Sequence, residues 1–197
     1  MSTPLRRRLA ALGACIGMGV CMIGGAALAD TQRGPFDQTF SLQGIHFRVQ
    51  AANQGSMGRV QITPRGLRVS NAVISREVEG SVVGAEVADL NADGSPEIYV
   101  YISSAGSGSI GTVLAFSANR RKSLSDIVLP ELDAAAARGY QGHDQFAVVE
   151  GVLARRFPIY KAGDTNAAPS GGMRQIQYKL VAGEASWRLK VDRVVEF

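Results

Sequence analysis

From Phe36 onward, apolar and polar residues alternate in short runs broken by turn residues, the pattern of strands that bury one face. Phe36–Leu42 and Ile45–Val49 flank Gly44, and Val60–Ile62 stands between the turn clusters Asn53–Gly58 and Pro64–Gly66. Leu67, Val69 and Ala72–Ile74 predict a further strand, and Ser81–Leu90 another, leading into a turn at Asn91–Pro96. The strongest pattern follows, in Glu97–Phe116 (EIYVYISSAGSGSIGTVLAF). Ile98, Val100 and Ile102 alternate with Tyr99 and Tyr101, and Val113–Phe116 forms a return run. The segment therefore predicts a hairpin about Ser103–Gly111, a stretch in which Ile110 is the one large apolar residue. Gly and Ser there allow close backbone approach and offer hydroxyl and N–H groups to another molecule.

Downstream, Ala118–Lys122 reads as a basic turn and Ser123–Leu129 as a weak strand ended by Pro130. Leu132–Arg138, with consecutive alanines, predicts a short helix. Gln145–Ala154 is largely apolar, Ala162–Gly172 is a polar loop, and Arg174–Val181 and Trp187–Asp192 alternate cleanly. One wet and one buried face per strand predicts an all-β chain: a single antiparallel β-sandwich with a protruding Ser/Gly-rich hairpin loop.

The segment before Phe36 has a different character. Arg6, Arg7 and Arg8 precede an apolar run, Leu9–Leu28, and Ala27-Leu28-Ala29 gives a small-residue cleavage signal. The expectation is a signal peptide over 1–29, cleaved after Ala29, and one domain over 30–197. Cys15 and Cys21 both fall in that leader, so the exported chain has no disulfide and depends on its core for stability. The formal charge of +4, less the three leader arginines, leaves +1. That balance supports neither a nucleic-acid nor a membrane partner.

Several motifs suggest chemistry. Gly106–Gly111 matches the spacing of a dinucleotide-binding turn, but a β-prone run follows where that motif needs a helix. No serine there lies in a nucleophile elbow, and no Gly-Lys-Ser/Thr forms a phosphate loop. Asp89-Leu90-Asn91-Ala92-Asp93-Gly94, followed by Glu97, places oxygen donors at alternate positions, as a calcium loop does. Glu97 comes sooner after the glycine than the EF-hand spacing asks, and an Asx-rich turn explains the same residues. His46 sits in an alternating strand as a surface residue. His143 precedes Asp144, where a loop-fixing hydrogen bond is a simpler role than catalysis with a serine such as Ser107. Arg155-Arg156-Phe157-Pro158-Ile159-Tyr160 reads as a strand with exposed arginines leading to an Asx/Pro turn at Asp164–Pro169.

Taken together, DLNADGSPEIYVYISSAGSG, NRRKSLSDIVLPEL, GYQGHDQFAVVEG, RRFPIYKAGDTNAAPSGGMRQIQYKL and GEASWRLKVD resemble the periplasmic inhibitors of I-type (invertebrate-type) lysozyme. The resemblance spans Ala88–Val191, about half the chain. It implies a periplasmic β-sandwich that is not an enzyme, needs no cofactor or metal, and blocks I-type lysozyme so that peptidoglycan survives host defence. It also implies a lysozyme-binding loop, here Ser104, Gly106, Ser107, Gly108, Ser109 and Ile110. The family pattern continues Ser-Gly-Ser with tyrosine, where this chain has Ile110. Losing that hydroxyl implies inhibition weaker by about ten- to a hundred-fold if its partner is left unpaired. A homodimer stays open, and the alternative function is a calcium-dependent glycan- or peptidoglycan-binding module using Asp89, Asn91 and Asp93.

Overall fold

The alternating runs do form strands. The computed structural model describes residues 34–197, and the expected leader, 1–29, lies outside them. The strands are β1 Phe36–Leu42, β2 Ile45–Ala51, β3 Met57–Arg65, β4 Ile74–Glu79, β5 Ser81–Ala88 and β6 Glu97–Ser103. They continue as β7 Gly111–Ser117, β8 Ser125–Val128, β9 Gln145–Val149, β10 Val152–Pro158, β11 Met173–Ala182 and β12 Trp187–Glu196. A 3-10 turn at Asn119–Arg121 occupies the expected basic turn.

β1–β4 pair in sequence order as one antiparallel sheet, while the larger sheet has the order β5-β6-β7-β8-β12-β11-β10-β9. The larger sheet curls until it is nearly closed. Glu86 on β5 accepts hydrogen bonds from the Val148 N–H on β9 (2.8 Å) and from the Tyr101 hydroxyl, linking its two edges. The architecture is thus all-β and sandwich- or barrel-like. It is not wholly antiparallel, because β12 runs parallel to β8.

β6 breaks the expected pattern of one wet face: all its residues are buried. Ile98, Val100 and Ile102 point toward β1–β4 and pack with Ile45, Phe47, Val49, Val60 and Ile62. Tyr99 and Tyr101 point the other way, into the curl of the larger sheet, with Leu153, Phe157, Ile176 and Tyr178. A strand between two layers buries both parities, so its polar-looking tyrosines are core residues. Asn53 joins the layers from the other side: its side chain donates to the Val82 carbonyl (3.0 Å) and accepts from the Val82 N–H (2.8 Å).

Other expectations shift for local reasons. β3 runs on through Pro64 to Arg65, Leu67 is a buried turn residue, and the next strand starts only at Ile74. Gln145–Ala154 divides into β9 and β10 at Glu150-Gly151, both with positive φ. Leu132–Arg138 is not a helix but a set of turns. Asp133 Oδ1 accepts the N–H groups of Ala135 and Ala136, Ala137 N–H bonds back to the Asp133 carbonyl, and Gly139 turns the chain at φ 71°. Four alanines are too few to propagate beyond the nucleating turn. Arg174 then takes the freed carbonyls of Ala136 and Arg138, both at 2.7 Å.

Phe47 lies fully buried between the layers. Phe47→Ala is expected to destabilise the protein by about 3–5 kcal/mol while keeping a single unfolding transition. Urea titration followed by circular dichroism checks both points.

Candidate functional site

The β6–β7 pair stays in register to Ser103↔Gly111, so the loop proper is Ser104–Ile110. It is closed at its neck. Ser104 N–H donates to the Ile110 carbonyl (2.8 Å), and the Ser104 hydroxyl accepts Ile110 N–H (2.9 Å). Ser109, at φ 42°, turns its N–H back onto the Gly106 carbonyl (2.9 Å). Ala105, Gly106, Ser107 and Ile110 are exposed, while Ser104, Gly108 and Ser109 are half-buried. Among the described residues, the N–H groups of Ala105, Gly106, Ser107 and Gly108 donate to no protein acceptor.

Two other connections brace this loop. His143 N–H donates to the Gly108 carbonyl at 2.6 Å, and Asn166 Nδ2 donates to the Ser107 carbonyl at 2.9 Å. Asn166 Oδ1 lies 3.0 Å from His143 Nε2, and the His143 ring stacks on Tyr160. Glycine is needed at this contact. A Cβ on Gly142 (φ 99°) would fall 2.0 Å from the Gly108 carbonyl oxygen, and one on Gly108 would fall 2.8 Å from that of Gln141.

Beneath the contact sits a buried ion pair. Arg155 Nε donates to Asp144 Oδ1 at 2.7 Å, with the Arg155 side chain 7% and the Asp144 side chain 0% exposed. Asp144 Oδ2 accepts from the Tyr140 hydroxyl (2.6 Å) and from Gly111 N–H (2.7 Å), the first residue after the loop. Arg155 Nη2 also donates to the Tyr140 hydroxyl (3.0 Å), and its guanidinium lies over the Tyr140, Phe146 and Phe157 rings. Burial, reinforced by the Asp144 carboxylate, pushes the Tyr140 hydroxyl up to about 12, so it stays a donor. Burial opposes the charge on Arg155, but the Asp144 hydrogen bond and charge outweigh it and raise its pKa.

The expected loop residues therefore lie together on one braced turn, while the expected pair of exposed arginines does not exist. Arg156 is exposed, but Arg155 shares the inward parity of Leu153 and Phe157 and is buried. That parity was the available signal, since an inward arginine between two core residues requires an acid. His143 has the loop-fixing position and faces Asn166 rather than a serine, so no Ser107–His143 pair forms. At the far end of β6, Asp89 and Asp93 make the expected Asx-rich turn. Asp89 accepts Asp93 N–H (3.0 Å) and Gly94 N–H (2.9 Å), and Asp93 accepts Ser95 N–H (2.8 Å).

A model of the family described as periplasmic lysozyme inhibitor of I-type lysozyme matches residues 67–137. That segment holds β4–β8, including the whole Ser104–Ile110 loop, whereas Tyr140, Asp144, Arg155 and Asn166 lie beyond it. The match supports periplasmic lysozyme inhibition, and the matched family is one of inhibitors rather than enzymes. No curated protein and no solved structure matches the chain significantly.

Removing one partner of a buried ion pair leaves the other charge uncompensated. Asp144→Ala is expected to destabilise the protein by about 3–5 kcal/mol. Hydrogen exchange at Gly111 is expected to quicken more than at β11 amides, because its acceptor is gone.

Proposed function

We propose that this protein is a periplasmic inhibitor of I-type lysozyme that works by occupying the enzyme's cleft with the tip of the Ser104–Ile110 loop. Export follows from the expected leader, with release after Ala29. Among the described residues no helix is long and apolar enough to cross a membrane. The family match over the loop carries the reading.

The loop's hydrogen bonding fits blockade without chemistry. Lysozymes act through a pair of carboxylates beside the scissile bond, which accept hydrogen bonds when ionised. The free N–H groups of Ala105–Gly108 and the Ser107 hydroxyl are donors at the exposed tip. Ser109 N–H is already used within the loop, so donation belongs to the residues before it. Bracing by His143 and Asn166 lowers the ordering cost of binding, because the bound shape exists in advance. Ile110, 55% exposed beside the tip, supplies apolar contact without a hydroxyl.

Ser107→Trp is expected to abolish inhibition of I-type lysozyme with an unchanged melting temperature, because Ser107 is exposed and only its backbone carbonyl is used internally. A turbidity assay on peptidoglycan measures the first and calorimetry the second. Full inhibition by the tryptophan variant overturns the loop assignment. Ile110→Tyr is expected to strengthen inhibition by about ten- to a hundred-fold.

A further inference from the structure

The end of β6 opposite the inhibitory loop has an unexplained feature. Glu97 is fully buried, yet only one of its carboxylate oxygens has a partner: Oε2 accepts Leu90 N–H at 2.9 Å, and Oε1 accepts nothing. A buried carboxylate left half-satisfied is expensive. Around it, the Tyr99 and Ser117 hydroxyls are also buried without partners, Ser117 standing directly across the β6–β7 pair from Glu97.

The Asx-rich turn explains Asp89 and Asp93, and its Leu90 N–H occupies one Glu97 oxygen, but nothing in it uses the other. One carboxylate oxygen from each of Asp89, Asp93 and Glu97 lies within 4.8 Å of the others. Oxygens bound to one calcium ion at about 2.4 Å can be no more than about 4.8 Å apart. Every nearby donor is oxygen, with no histidine or cysteine in the set, which selects a hard cation over zinc. An irregular turn, whose carboxylates also hold backbone N–H groups, suits the adaptable coordination of calcium better than the strict octahedron of magnesium.

We infer that Asp89, Asp93 and Glu97 form a structural calcium site that fastens the Asp89–Pro96 turn to the start of β6. Asp89 also accepts Gln43 Nε2 from the β1–β2 turn (2.7 Å), so the ion steadies a junction between the two sheets. Glu97 and Ser103 occupy opposite ends of β6, roughly 20 Å apart, so the site is separate from the lysozyme-binding loop. Its test is equally separate from inhibition.

The test uses protein expressed from the full chain and stripped with chelator, titrated with calcium chloride by calorimetry and melted with and without the ion. One ion per chain is expected, with a melting temperature about 5–10 °C higher at a hundred-fold excess over Kd. Asp93→Asn, at an exposed position that leaves the core intact, is expected to weaken calcium binding at least tenfold. Glu97→Gln is expected to remove the calcium-dependent shift while keeping the buried volume. Absence of heat and shift in the unaltered protein overturns the inference, as does unchanged binding by Asp93→Asn. An equal response to magnesium overturns the assignment to calcium.

Discussion

The pair between Arg155 and Asp144 is the interaction on which the loop's shape depends. Two charges buried among Tyr140, Phe146 and Phe157 are held there by geometry that leaves Asp144 accepting three hydrogen bonds at once. One of those comes from Gly111, the first residue of β7, so the ion pair fixes where the loop ends. The adjacent residue, His143, then meets Gly108 with its own N–H. A buried ion pair adds little net stability over a hydrophobic substitute. Its contribution here is positional, turning a Ser/Gly stretch of low intrinsic order into a defined surface.

β6 carries that surface because it is the strand shared by both cores. Its even residues pack against the four-stranded sheet and its odd residues fill the curl of the larger one. Motion of the loop's root therefore disturbs two packed layers. For the proposed inhibition, such a mounting leaves little conformational entropy to be lost on binding.

The sequence made the strands legible because most bury one face, and alternation reports that directly. It also located the loop, since two apolar runs about a Ser/Gly stretch leave few alternatives. It misled where tertiary context overrides local pattern. Tyr99 and Tyr101 look like an exposed parity until a second layer covers them. The alanines after Asp133 look helical, but one turn closed by Gly139 is all the chain makes there. Arg155 and Asn166 act on the loop from distant segments, and single-sequence periodicity contains no information on that pairing.

Amide hydrogen exchange of the protein with and without I-type lysozyme tests most directly whether the braced loop is the inhibitory surface. The Ala105–Gly108 amides, free of protein acceptors, are expected to slow at least tenfold in the complex while the edge amides of β1 and β4 do not change. Binding of lysozyme with unaltered exchange at Ala105–Gly108 would contradict that expectation.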